Sequence, residues 1–422
     1  MTPVGDARVG RLVGDLFRRE SAHLVSALAR LLGPSNLALA EDVVHDALVS
    51  AMQAWRFGVP DDPKAWILQV AKNRAIDALR RQRRLDPVPP QLDTAVDQAL
   101  SPEADAENQL SMMFAICDPA LAPETHVTLI LRLLCGLSAA EIAGAFLADV
   151  PTIDRRLHRG RARLRELGEI EDVRAADQVR ARQPSVEQAL YLLFNEGYHG
   201  SGAESPLQPV MCADALRLVE LLLGASDVEP RAVHALAALF CLDAARLPAR
   251  LDGEGVVVPL ADQDRSSWDR ALVARGVRHL AASAGGESWT RWHLEAGIAL
   301  EHTIAPSVAG TDWAKIVDYY DALVQLAPGP VVALNRALAL AELRGLDAGR
   351  AALASLAGEP RLAEYSFYWA ARADIERRAG CTAEAAALYV RAASLARSRA
   401  ERLSYERRLV CHGAPASGSR VM

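Results

Sequence analysis

An all-α fold is what this 422-residue sequence predicts, and three observations predict it. Alanine and leucine dominate while aromatic residues make up only 5%, so the cores must be aliphatic. Apolar residues recur at helical spacing over long stretches. No run alternates with a period of two and β-branched enrichment; the nearest, residues 256–260 (VVVPL), is interrupted by Pro259. With 51% hydrophobic residues the chain can build two or three domains with cores of their own. A net charge of −6 requires any nucleic-acid surface to come from local clustering rather than overall basicity. The six cysteines (Cys117, Cys135, Cys212, Cys241, Cys381 and Cys411) form no C-x-x-C pair. That spacing speaks against a zinc site and a disulfide framework, and suits buried thiols in a reducing cytosol. The N-terminus lacks an apolar signal-like region and no segment approaches ~18 uninterrupted apolar residues. The expectation is a cytoplasmic protein with no membrane partner and no cofactor.

The first helical pattern uses Leu12, Leu16, Leu24, Leu28 and Leu31 and stops at Gly33-Pro34. A second runs from about Leu39 to Trp55, with Val43, Val44, Ala47, Leu48, Ala51, Met52 and Trp55 as its apolar positions. Glu41 and Asp42 are expected in its first turn, where they favour the helix dipole. His45 and Asp46 belong to its mixed surface, and the histidine reads as solvated rather than as a ligand. A third helix follows the Pro60–Pro63 loop over residues 64–84 (KAWILQVAKNRAIDALRRQRR). Trp66, Ile67, Val70, Ala71, Ile76 and Leu79 mark its buried side; Lys72, Arg74, Arg80, Arg81, Arg83 and Arg84 make it strongly basic. An aromatic near its start, Asn73 in its middle and a cationic end suit contact with separated nucleic-acid strands, because unpaired bases stack on aromatics and cations hold the backbone. The simpler role for Trp66 is packing.

Residues 85–109 contain Pro87, Pro89, Pro90, Pro102 and six acids without a lysine or arginine. They read as an extended acidic linker. Residues 110–136 supply the helices on which the next element must pack.

That element is SAAEIAGAFLADVPTIDRRLHRGRARLRE, residues 138–166. Ser138 and Glu141 form an S-x-x-E capping box that starts a short helix with Ile142, Ala143, Phe146 and Leu147 on its apolar side. Ala148–Pro151 breaks the pattern, with Asp149 as N-cap and Pro151 tolerated in a first turn. The second helix turns Ile153, Leu157 and Leu164 inward and seven cationic side chains between Arg155 and Arg165 largely outward. An apolar helix, a tight bend and a basic helix, in that order, make a helix-turn-helix whose second helix enters a major groove. Its arginines would bind phosphates and reach guanine edges.

Three pieces in this order resemble a bacterial extracytoplasmic-function sigma factor, the subunit that directs RNA polymerase core to particular promoters. They are AEDVVHDALVSAMQAW, AWILQVAKNRAIDALRRQRR and the helix-turn-helix ending in RRLHRGRARL. The resemblance covers residues 11–84 (region 2) and about 110–167 (region 4). It implies that Glu41, Asp42, Asp46, Leu48 and Met52 face the polymerase β′ clamp helices. It places Trp66, Lys72, Asn73, Arg74, Asp77, Arg80, Arg81, Arg83 and Arg84 at the −10 element, with Asn73 matching the family's base-contacting asparagine. Thr152, Asp154, Arg155, Arg156, His158, Arg159, Arg161 and Arg163 would meet the −35 element, and region 4 would sit near the β flap. Asp154 departs from the family's basic or polar residue early in this helix. An acid there either accepts from a cytosine amino group or pairs with Arg155 or Arg156.

The second half resembles a longer subgroup carrying a tetratricopeptide-like helical extension, with LYLLFNEGY (190–198) and LADQDRSSWDRAL (260–272) as landmarks. Independently, Ile316/Tyr320/Leu323, Gly349/Leu353/Leu356 and Ala385/Tyr389/Ala392 share one spacing, close to a ~34-residue repeat. Pro328 is expected at a repeat boundary. Stacked helix pairs of this kind offer a concave face to a protein or peptide partner. The expected organisation is residues 1–84, a linker over 85–109, 110–170, a helical extension over 185–300, repeats over 301–411 and a tail over 412–422. Asn195, Glu196, Tyr198, His199, Asp262, Asp264, Arg265, Trp268 and Asp269 could do acid–base chemistry, but no H-E-x-x-H, nucleophile elbow or phosphate loop surrounds them. They read as helix-locking or docking residues, and the chain as a non-enzyme. The function expected is promoter recognition, with the C-terminal half regulating it in cis. The alternatives are a helix-turn-helix repressor or activator with a ligand- or peptide-binding domain, and an enzyme in the C-terminal half.

Overall fold

The computed structural model describes residues 24–29, 37–83, 102–166, 173, 175–200, 207–286 and 288–410. Among them the fold is helical, and the VVVPL stretch contributes only one isolated antiparallel bridge, Leu251 to Val257. The chain divides into two units, residues 1–193 with 220–228, and residues 194–219 with 229–422. Leu12, Leu16, Gly33-Pro34, Arg84, residues 85–101, Cys411 and the 412–422 tail lie outside the described residues.

In the first unit, residues 24–29 are helical and buried. Helix α1 (Leu37–Ala54) and helix α2 (Pro63–Arg83) pack together. Val44, Ala47, Leu48, Ala51 and Trp55 on the first meet a seam on the second in which Ile67, Ala71 and Ala75 are fully buried. The spacing i, i+4, i+8 puts these three on one face. Because α1 starts at Leu37, Glu41 and Asp42 fall in its second turn rather than the first, where the helix dipole was expected to favour them.

Helix α3 spans Pro102–Ala115, so the last part of the expected linker is helical rather than extended. Pro102 sits at its first position, where a missing N–H costs nothing. Helix α4 (Pro123–Leu129) runs into a π-helical turn, Ile130–Leu134, and this segment is almost wholly buried. Helix α5 (Ala139–Phe146) and helix α6 (Val150–Glu166) pack on it. Helix α7 (Ala176–His199) follows; it runs through Ser185, near which a second helix-rich body was expected to begin, and the division between the two units falls within it, after Leu193.

The second unit takes up the last residues of α7 and part of helix α8 (Pro209–Gly224). Helix α9 (Pro230–Ala244) is its most buried element; residues 235–242 are all buried. Pro230–Ala249 is the one described stretch long and apolar enough to cross a membrane, and it lies mostly inside the protein. Helices α10 (Arg270–Ser283) and α11 (Arg291–Ile304) pack against α9.

Then come α12 (Trp313–Leu326), α13 (Pro330–Arg344), α14 (Leu346–Ala354), the short α15 (Pro360–Ala363), α16 (Ser366–Arg378), α17 (Thr382–Ser394) and α18 (Arg399–Val410). The three spaced triplets start on α12, α14 and α17. Ile316, Leu323, Leu353, Ala385, Tyr389 and Ala392 are buried. Gly349 meets Ala341 so closely that a Cβ would lie 2.4 Å from the alanine Cβ, which explains glycine at that repeat position. Pro328 falls in the connection between α12 and α13. Of the described cysteines, Cys117, Cys212 and Cys241 are buried, but Cys381 is exposed at the start of α17, contrary to expectation.

Candidate nucleic-acid interface

The helix-turn-helix is built as its local sequence dictates. Ser138 N–H donates to Glu141 Oε2 at 2.7 Å while Glu141 N–H donates to Ser138 Oγ at 3.2 Å, closing the capping box. Helix α5 ends with Leu147 at φ 48°, and Ala148 N–H reaches back to the Ala143 carbonyl at 2.9 Å. This left-handed C-terminal residue makes the bend; without glycine it carries a modest strain that packing must hold. Asp149 then caps α6, its carboxylate accepting from Thr152 N–H at 2.7 Å. The hydrogen bonds from Thr152 hold its carboxyl below the usual range.

Ile153, Leu157, Gly160 and Leu164 form the buried stripe of α6. Gly160 had no assigned role, yet it sets how closely α6 approaches α4: a Cβ there would meet three side-chain carbons of Leu129 at 2.8, 2.9 and 3.0 Å. The opposite face exposes Asp154, Arg155, His158, Arg159 and Arg165. Among the described residues no ion pair joins Asp154 to Arg155 or Arg156. Arg155 instead donates to Thr152 Oγ1 at 2.8 Å, and the half-buried Arg156 lies over the Phe146 ring at 5.1 Å. Asp154 is exposed and makes neither expected pairing.

Two expected DNA contacts are engaged within the protein. Arg161 Nη2 lies 2.7 Å from Glu41 Oε1, joining α6 to α1. Arg163 Nε lies 3.3 Å from Asp118, and that hydrogen bond raises its pKa. Asp118 went unrecognised in the sequence, although Asp-Pro is a turn signal. Its carboxylate accepts from Ala120 N–H at 2.8 Å and its carbonyl faces His126 Nε2 at 2.7 Å. Burial lowers the His126 pKa, and its other nitrogen meets Ser185 on α7 at 3.2 Å. Arg182, also on α7, donates to the Phe114 carbonyl at 3.2 Å. The N-terminal half of α7 is therefore tied to the helices beneath α6.

On α2, Asp62 caps the start by accepting from Ala65 N–H at 2.9 Å. Trp66 is half-buried and stacks edge-to-face on the buried Trp55, centroids 5.7 Å apart, so packing accounts for much of the ring. Asn73 is exposed and accepts from Gln69 Nε2 at 3.0 Å; Arg80 lies 3.4 Å from Asp77. Gln69, Asn73, Asp77 and Arg80 make one exposed stripe. Lys72 is half-buried. Arg74 turns away from that stripe, donating to Asp46 Oδ2 at 2.8 Å and Ser50 Oγ at 2.9 Å. The side chains of Leu79, Arg81 and Arg83 lie outside the described residues. On α1, Asp42 and Asp46 are exposed and Met52 is 45% exposed, a large apolar side chain at the surface. Leu48 departs from expectation: at 3% exposure it belongs to the core, on the same face as Val44, Ala51 and Trp55.

The landmark residues of the second unit do structural work. Asp264 caps the turn Arg265–Ser267, accepting from Ser266 N–H at 2.9 Å, and Asp269 caps α10 through Ala271 and Leu272 N–H at 2.8 and 3.0 Å. Trp268 is buried, and Asp262 is exposed. No group of histidine, cysteine and carboxylate among the described residues is placed to hold a metal.

The sigma-70 region 2 family matches residues 16–85, the sigma-70 region 4 family residues 119–164, and a family of unknown function (DUF6596) residues 182–284. The RNA polymerase sigma factor CarQ of Myxococcus xanthus is 34% identical over 160 residues, 37% of this chain and 90% of its own. The ECF RNA polymerase sigma factor SigE of Mycolicibacterium smegmatis is 24% identical over 155 residues, 36% of this chain and 60% of its own. An uncharacterized protein of Rhizobium meliloti is 35% identical over 393 residues, 90% of this chain and 92% of its own. No solved structure matches the chain.

Proposed function

This chain belongs to the extracytoplasmic-function RNA polymerase sigma factors and carries a C-terminal helical extension, and from that premise we propose how its residues divide the work. Helix α1 offers Asp42, Asp46 and Met52 to the polymerase β′ clamp, an acidic surface with one apolar anchor. The exposed stripe of α2, centred on Asn73 and Arg80, takes the −10 element, and Trp66 presents an accessible edge to unstacked bases. Helix α6 takes the −35 element with Arg155, His158 and Arg159, while Asp154 accepts from a cytosine amino group. No covalent chemistry is asked of these groups; binding and strand separation are the output. The observation that carries the reading is the pairing of two exposed stripes, a polar one on α2 around Asn73 and Arg80 and a cationic one on α6, each opposite a packed seam.

The extension is proposed to act on transcription in cis, through α7. Support comes from Arg182 and Ser185, which grip the Phe114 and His126 backbone-and-ring contacts beneath α6. A protein or peptide partner on the C-terminal helix pairs, and residence in the cytoplasm, belong to the same reading.

The test mixes full-length protein with core RNA polymerase and a promoter library. Promoter-specific transcripts are expected, lost in the Asn73→Ala/Arg80→Ala double variant and altered in amount by Arg182→Ala. Operator-type DNA binding without polymerase would overturn the assignment in favour of a repressor.

A further inference from the structure

Buried cations normally come with carboxylates to match them. One cluster in the second unit departs from this. Arg246 and Arg250 are each 8% exposed, and both lie over the Tyr198 ring, at 5.9 and 4.3 Å. Arg246 also shares the Trp268 ring with Arg265, at 5.9 and 4.7 Å. Arg250 Nη2 lies 3.3 Å from His199 Nδ1, and the far side of the His199 ring meets Phe367 on α16, 5.9 Å between centroids. Arg397 reaches the same ring electrostatically from beyond α17. Three separate parts of the unit thus bring guanidinium groups to one place.

Each of the four keeps a buried N–H with no partner: Nε of Arg246 and Arg250, Nη2 of Arg265 and Nη1 of Arg397. Buried donors left unpaired are rare in folded proteins, and four converging are rarer still. The carboxylates nearby do not answer them. Asp243 accepts from Arg246 at 3.1 Å, but burial pushes its carboxyl above the usual range. Glu295 is held by Arg291 at 2.6 Å. Glu401 takes the Tyr405 hydroxyl at 2.9 Å and the backbone N–H of Arg397 at 3.0 Å, leaving the Arg397 side chain out of the exchange. Among the described residues Arg250, Arg265 and Arg397 have no carboxylate in an ion pair with them.

The place is also reachable: His199 is exposed and the Asp243 side chain is 22% exposed. Desolvation by the groups packed around it, and then the neighbouring arginines, hold the His199 imidazole well below its ordinary pKa, and the same causes bring His302 down to about 4.

We propose that the C-terminal extension binds a small doubly charged oxyanion, the phosphoryl group of a small molecule or free phosphate, between Arg246, Arg250, Arg265 and Arg397. Guanidinium N–H groups match phosphoryl oxygens in geometry as well as charge. The Tyr198 and Trp268 rings keep the arginines in place by stacking on them. A divalent anion with several oxygens satisfies the free N–H groups of several guanidinium groups at once, which a single carboxylate would not. Occupancy would then set how firmly α9, α11 and α16 hold together.

The test needs no polymerase, so its failure and that of the promoter reading are separable. Full-length protein is titrated with sodium phosphate, and separately with glycerol 3-phosphate, against sodium chloride at matched ionic strength. Calorimetry and thermal melting are the readouts. Saturable binding with a raised melting temperature is expected, weakened at least ~10-fold by Arg397→Gln and by Arg265→Gln. The exposed Arg361→Gln should bind as the parent does. Tighter binding of glycerol 3-phosphate than of phosphate identifies a phosphorylated small molecule; the reverse identifies free phosphate. A response no greater than that to chloride, or one unchanged in both cluster variants, overturns the proposal.

Discussion

Gly160→Ala is a small change with a calculable outcome. At an open position in a helix interior, replacing glycine by alanine stabilises by about 1 kcal/mol. Here the added Cβ would lie 2.8–3.0 Å from Cδ1, Cδ2 and Cγ of Leu129, where carbon atoms are comfortable at about 3.5–4.0 Å. All three atoms of the leucine fork are hit, so turning about χ2 alone cannot clear the clash, and because Leu129 is fully buried, a turn about χ1 would press on its other neighbours. Overpacking of this kind costs about 1–3 kcal/mol, which outweighs the helical gain and leaves roughly 1 kcal/mol of destabilisation. For a unit of this size that lowers the melting temperature by about 2–4 °C. The outward side chains of α6 are all retained, but the helix must shift on α4. Transcription from promoters that depend on the −35 element should fall while association with polymerase core persists. Thermal melting and promoter-specific transcription measure the two effects. A melting temperature that rises, as at an open helix position, would refute the close α4–α6 contact on which this reasoning stands.

Two further outcomes follow from single side chains. His302 has its pKa brought from 6.5 to about 4, chiefly by burial and then by Arg246 and Arg265. A depressed histidine pKa means the unfolded chain binds the proton more tightly, so stability is full above pH ~6.5 and drains as pH falls toward ~4, by up to about 3 kcal/mol. His302→Gln should flatten that part of a stability–pH curve measured in chloride buffer; an unchanged slope would assign it elsewhere. The Glu41–Arg161 pair is only 25% and 32% exposed, so a double-mutant cycle with Glu41→Gln and Arg161→Gln should give a coupling of about 1 kcal/mol in denaturant unfolding. Strictly additive effects would show that the two side chains do not hold α1 and α6 together.

What the sequence by itself determined about this protein is local and periodic. The capping box at Ser138 and Glu141, the Asp149 cap, the buried 153/157/164 spacing and the basic face of α6 each depend on residues within a turn or two, where covalent distance sets the partner. The same holds for the buried Ile67–Ala71 side of α2 and for the spaced triplets on α12, α14 and α17. Local signals mislead where they have two meanings. Pro102 reads as linker because proline breaks helices, but at a helix's first position it starts one. Resemblance assigns Leu48 to a partner, whereas its spacing from Val44, Ala51 and Trp55 puts it in the core.

Only the tertiary structure decided which charged groups are still free. Arg161 meets Glu41 from 120 residues away, and Arg74 meets Asp46 from 28. These pairings divide the expected DNA contacts into available and occupied, and no pattern in the sequence encodes them. The same is true of Asp264 and Asp269, whose suggestive chemistry is spent on capping. It holds most fully for the four arginines of the second unit. They lie between residues 246 and 397, each unremarkable in its own helix or turn, and only folding brings them around Tyr198, His199 and Trp268. The physical reason is range. Hydrogen-bonded caps and apolar periodicity act over a few residues, whereas a charge feels whatever the chain's long-range packing carries to within a few ångströms.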